Sequence, residues 1–170
     1  MTRTRDVATQ GGLVLVATIP LSSTGVNAAN VFTSTYENYK LEFSNVNFSS
    51  DGALTIQLRT GSTTNASNYH TMRTQASSTS LSSDRDATGA TWNYNMSFVR
   101  SANGTVTIYS PMLATATFMH GEMSCSNSTT TFHHQASGLH NNASSFESLA
   151  IGTAGATITS GNLRIYGMRN

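Results

Sequence analysis

Charge is the scarcest property of this 170-residue chain. Asp, Glu, Lys and Arg together make up 10% of it, against a typical quarter, and Lys40 is the only lysine. Glu and Lys are the staples of exposed helix faces, so their scarcity disfavours helices. The Ser, Thr and Asn that crowd every segment suit strands and turns. A net charge of +1 provides no long-range field to collect nucleic acid or acidic ligands. The arginines are scattered rather than clustered, so the basic patch of a nucleic-acid binder is missing. Cys125 is the only cysteine, which excludes an intrachain disulfide. Between Ser124 and Ser126 it has no base to activate it and reads as a small apolar strand residue. No apolar run approaches the ~18–20 residues of a membrane span. Residues 13–21, with Arg3 and Arg5 upstream, imitate the apolar part of a signal peptide. They are short, β-branched and interrupted by Thr18 and Pro20, with Asp6 ahead of them, and residues 13–19 are expected to form a buried strand that Pro20 stops. With no export signal expected, triplets such as Asn103-Gly104-Thr105 are not read as glycosylation sites.

What is present is alternation. Residues 35–62 carry its clearest form. Tyr39, Leu41 and Phe43 alternate with Lys40, Glu42 and Ser44, and Leu54, Ile56 and Leu58 alternate with Thr55, Gln57 and Arg59. That is the period of strands with one wet face. Ser49-Ser50-Asp51-Gly52 between them predicts a hairpin turn. Further strands are expected over residues 31–32, 69–75, 92–98, 105–110, 118–125, 129–137, 146–151 and 162–168. Turns are expected at Ala102-Asn103-Gly104, Ser126-Asn127-Ser128 and Ser160-Gly161, and loops over residues 22–30, 61–68, 76–90 and 138–145. Nine or ten short strands at this spacing predict an all-β antiparallel sandwich or barrel. It would occupy residues 13–170 behind an N-terminal arm, residues 1–12, that lies against its own domain or a partner. The expected core is Leu41, Phe43, Leu54, Ile56, Leu58, Trp92, Phe98, Ile108 and Ile165.

The side chains that carry chemistry form no recognisable site. Phosphate-binding glycine patterns, nucleophile elbows and zinc-peptidase motifs are absent, and no fixed-length repeat is present. His133 and His134 are neighbours on a strand and so point to opposite faces. His120 and His140 could approach either one, but no zinc-like spacing links them. Glu122 and Glu147 are a formal pair for glycoside hydrolysis with nothing around them to mark an active site. Asp84 and Asp86, flanking Arg85 in the long loop, read as solvated charges rather than a calcium loop. No enzyme activity, cofactor or metal is expected.

Three stretches together resemble the small virion and fibre proteins of tailed bacteriophages, especially those of cyanobacterial and marine hosts. They are TRTRDVATQGGLVLV, VFTSTYENYKLEFSNVNFSSDGALTIQLRTGSTTNASNYH and SGNLRIYGMRN. The resemblance covers both ends and the middle of the chain and leaves residues 76–150 unmatched. It implies an antiparallel β-sandwich of jelly-roll type, usually trimeric, built into the virion and without catalysis. Two roles follow. One is a capsid decoration or cement protein that contacts the major capsid protein, its arm (Arg3, Arg5, Asp6) reaching along neighbouring subunits. The absence of a repetitive shaft favours this role. The other is a tail-fibre or head-fibre tip that binds a host surface glycan through the long loop, where Ser82, Asp84, Arg85 and Asp86 are the contact candidates. A cellular carbohydrate-binding or enzymatic sandwich is a third, separate class. Neither virion role calls for nucleic acid or membrane as a partner, and both place the protein in virions assembled in the host cytoplasm.

Overall fold

The computed structural model describes residues 12–23, 25–93 and 99–169. Among these residues there is no helix. The strands are β1 (Leu13–Pro20), β2 (Gly25–Ala28), β3 (Asn38–Thr60), β4 (Thr63–Thr64), β5 (Tyr69–Ser77) and β6 (Leu81–Gly89). They continue as β7 (Trp92–Asn93), β8 (Val99–Tyr109), β9 (Thr117–Ser126), β10 (Thr131–His140), β11 (Ser148–Ala154) and β12 (Ile158–Met168). All pairings are antiparallel. The main path runs β1-β12-β3-β8-β9-β10-β5-β6; β11, β4 and β7 branch from it at β3, and β2 pairs with β11. The sheet does not close into a barrel, and β1 and β6 end its main path.

The expected hairpin over residues 35–62 is a single strand. β3 runs through Ser49-Ser50-Asp51-Gly52 without reversing, and neither Asp51 nor Gly52 takes the positive φ of a tight turn. The first half of β3 pairs with β12 and β8, and the second half pairs with β11, β4 and β7. The turn-like residues are therefore where one strand passes between two sets of neighbours. The pleat shifts at Asn45, whose φ is +51°, and pairing with β8 slips there as well, as a β-bulge requires. Both halves point their apolar residues inward as the alternation predicts. Tyr39, Leu41, Phe43, Leu54, Ile56 and Leu58 are all buried, in one cluster with Val106, Ile108, Leu149, Ile151, Leu163 and Ile165. Every expected core residue within the described segments is buried, and Phe98 lies outside them. Tyr39 keeps its phenol satisfied in the core: the hydroxyl accepts from the Thr33 amide (2.6 Å) and donates to the Thr33 carbonyl (2.8 Å).

Other expectations change for physical reasons. Ala102-Asn103-Gly104 is not a turn but part of β8. Gly104 serves a close approach: a Cβ there would collide with the Glu122 carbonyl of β9 and lie 2.7 Å from the Met123 Cα. Main-chain atoms of a paired strand cannot swing aside. Gly104→Ala is therefore expected to cost about 1–3 kcal/mol in chemical unfolding, and an unchanged midpoint would refute that packing. Ser160-Gly161 likewise sits within β12, at its register shifts against β3. Residues 13–19 form a strand, but at an edge with Leu13 and Leu15 exposed rather than buried. Val31 and Phe32 are buried without being a strand; the Phe32 amide donates to the Glu147 carbonyl at 2.9 Å. Of the strand expected over residues 92–98, Trp92–Asn93 is described and the remainder lies outside the described residues. β2 and β4 lie in segments expected to be loops. The pair around Ser126-Asn127-Ser128 forms as expected, as β9 and β10.

Candidate interaction surface

Arg3, Arg5 and Asp6 of the arm lie outside the described residues. The long loop expected over residues 76–90 is mostly strand: β6 pairs along β5 after a turn closed by the Ser77 amide and the Ser80 carbonyl (2.8 Å). The alternation gave no signal because β6 has no buried side chain; all its residues are exposed or half-exposed, so neither face needs apolar residues. Ser82, Asp84, Arg85 and Asp86 thus stand on an edge strand. Asp84 is ion-paired with Arg73 of β5 and accepts from the Arg85 amide at 2.7 Å. The bond from Arg73, helped by that amide, holds the Asp84 carboxyl below its usual range. Arg73 also donates to the Asn93 carbonyl at 2.9 Å, tying β5 to β7. Asp86 accepts from the Thr88 amide at 3.1 Å. Charged residues on an exposed edge are a common guard against unwanted strand addition.

The histidines divide between the two faces of the main sheet. His133 is exposed and its neighbour His134 is buried. His120, exposed on β9, bonds through Nδ1 to the Ser137 hydroxyl at 3.0 Å. His140 is buried edge-on between Tyr69 (4.6 Å) and Phe146 (5.0 Å). Among the described residues no three His, Cys, Asp or Glu side chains gather as a metal site would need. Glu122 is exposed opposite Gln135 and Thr105, whereas Glu147 accepts from the Gly61 amide; each has its own surroundings. Cys125 is buried, and burial pushes its thiol up to about 12, which suits packing and not nucleophilic chemistry.

What the registers do bring together is a graded outward face. Leu13 pairs with Met168, Met168 with Asn38, and Asn38 with Tyr109. Tyr109 pairs with Phe118, Phe118 with Leu139, and Leu139 with His70. These seven residues form one row across the main sheet, and most of them are apolar or aromatic. The next row along the strands is mixed. It runs Leu15, Tyr166, Lys40, Thr107 and continues His120, Ser137, Met72, Arg85. The third is polar, with Arg164, Glu42, Thr105, Glu122 and Gln135 in succession. In it Arg164 bonds Glu42 at 2.9 Å, and the Tyr166 hydroxyl donates to the same carboxylate at 3.3 Å. Phe118 is 53% and Met72 65% exposed, and between them lies an open hollow of about 370 Å³ that Leu139, Arg85 and Asp86 also line. A second hollow, about 470 Å³, opens beside Tyr36, Met112 and the exposed Leu113. Alternation along a strand can mark which of its residues point outward. The row itself depends on cross-strand register, which no single segment encodes.

No protein-family model matches the chain, and neither does any curated protein or solved structure.

Proposed function

We propose that the chain is a non-enzymatic structural protein of a bacteriophage virion. In this reading it is a capsid decoration or cement protein, a jelly-roll-type sandwich that trimerises and contacts the major capsid protein. The three sequence stretches supply the virion context. The observation that carries a role in assembly is the outward apolar row, which ends at β1, the strand that the arm leads into. A row in which Leu13, Tyr109 and Phe118 are exposed and Met168 and Leu139 half-buried is a surface of the kind that marks protein contacts. The alternative, a fibre tip that binds a host glycan, relied on a long contact loop at residues 76–90, and those residues are largely a paired strand. Deleting residues 1–10 is expected to abolish attachment to capsids while the domain keeps its unfolding midpoint. Unimpaired attachment would remove the arm from this reading. Labelling that finds the protein on the tail, or absent from purified particles, would remove the decoration role itself.

A further inference from the structure

We infer that the outward face of the main sheet is a two-fold contact between two copies of this chain, with its axis running between β8 and β9 past Tyr109 and Phe118. The inference concerns the surface alone and does not depend on the virion reading. Tyr109 and Phe118 stand directly opposite one another on β8 and β9, the fourth and fifth strands of an eight-strand path. The aromatic pair therefore sits midway across the sheet, where β8 ends and β9 begins. Exposed aromatic side chains beside increasingly polar rows are a common feature of protein–protein contacts.

The face is self-complementary. A half-turn about an axis that runs along the strands between β8 and β9 lays Tyr109 on the partner's Phe118, and Phe118 on the partner's Tyr109. The same operation lays Lys40 on the partner's Ser137 and Thr107 on the partner's His120 in the second row. In the third row it lays Glu42 on the partner's Gln135 and Glu122 on the partner's Thr105. No two like charges meet over these four central strands. Stacked sheets cross at about 30° or less, so central strands keep this correspondence while the outer ones diverge. Isologous contacts need such a surface, in which each residue and its counterpart exchange roles across the axis. The size also suits a second copy. Strands about 4.8 Å apart and rows about 7 Å apart give the three rows roughly 400 Å² over the four central strands and roughly 800 Å² over the full eight-strand path, the latter being the ~800 Å² per partner of a specific interface. A net charge of +1 offers almost no repulsion between copies.

This contact is separate from any three-fold one, and the two together would give even-numbered assemblies. The test is molecular mass in solution by analytical ultracentrifugation of the full chain and of Phe118→Asp. Because Phe118 is 53% exposed, the variant is expected to fold and to keep the wild-type circular dichroism spectrum, with a midpoint lowered only by the loss of assembly. The wild type is expected as a dimer or an even multiple of the chain, and the variant at half that mass. A monomeric wild type, or a trimer whose mass Phe118→Asp leaves unchanged, overturns the inference without touching the virion reading. Cross-linking fixes the geometry: Tyr109→Cys and Phe118→Cys chains, mixed and mildly oxidised, should form a disulfide dimer that neither forms alone, since Cys125 is buried. A mixture that yields no more cross-linked dimer than the single variants overturns the two-fold arrangement.

Discussion

Trp92→Ala is expected to lower the free energy of unfolding by about 3–5 kcal/mol. For a chain of this size that is a fall in melting temperature of roughly 6–20 °C. Trp92 is completely buried and sits at the junction of three elements. Its strand, β7, pairs with the second half of β3 through Ile56. Its ring meets Tyr69 of β5 edge-on, with centroids 5.3 Å apart. It also lies against β10 where Gly138 has no side chain; a Cβ there would stand 2.7 Å from the indole Cδ1. Truncation leaves a cavity bounded by paired strands, which cannot collapse to fill it. Trp92→Phe should cost much less, because the indole N–H finds no hydrogen-bond partner among the described residues and Phe has none to satisfy. As the only tryptophan, Trp92 reports the wild-type transition by its own fluorescence, and circular dichroism serves for the variants. A Trp92→Ala midpoint within a degree of wild type would show that the junction does not hold β7 in place.

Acid is expected to destabilise the fold well before its carboxylates titrate. His134 faces inward from β10, 2% exposed, and its Nε2 has no partner among the described residues. Burial, then the nearby charges of His133 and Arg73, push its pKa down to about 4. His140 is shifted the same way by burial, with the Ser67 backbone opposing and His70 adding to the shift. In the unfolded chain an imidazole takes up its proton near pH 6.5. The unfolded state therefore holds more protons than the folded one between about pH 6.5 and 4, and stability rises with pH across that window. The contribution of His134 is complete above the unfolded value and is lost as pH falls through the folded one. A depression of this size corresponds to a loss on the order of 3 kcal/mol from His134. Asp84 shifts in the opposite sense for its charge: its carboxyl is held ionised by Arg73, so what it contributes disappears only at lower pH. Melting temperatures measured from pH 7 to 4.5 should fall steadily, and His134→Gln with His140→Gln should flatten that slope. A wild-type curve that is already flat over this range would contradict neutral burial of the two rings.

The strand content was legible in single segments because burial on one face writes itself as alternation. Tyr39, Leu41 and Phe43 against Lys40, Glu42 and Ser44 gave the correct inner and outer faces of the first half of β3, and His133 and His134 were separated for the same reason. β6 was not legible, since an edge strand with both faces wet has no apolar half to reveal it. Three turn signals fell inside strands, and two of them misled in a consistent way. Ser49-Ser50-Asp51-Gly52 and Ala102-Asn103-Gly104 are residues that tolerate tight turns, but they are also residues that fit a strand transfer or a close approach. The local sequence does not distinguish those uses.

The amino-acid sequence by itself determined that the described residues are built of antiparallel strands with no helix among them, which side chains of β3 and its neighbours are buried, and that Cys125 packs as a small apolar residue. These are local consequences of composition and of a period of two. Tertiary structure alone decided that β3 belongs to two sets of neighbours and that Leu13, Tyr109, Phe118 and Leu139, separated by up to 126 residues, line up in one row. The physical reason is register. A strand's own sequence sets which way each side chain points, but its partner strands set which side chains stand beside it.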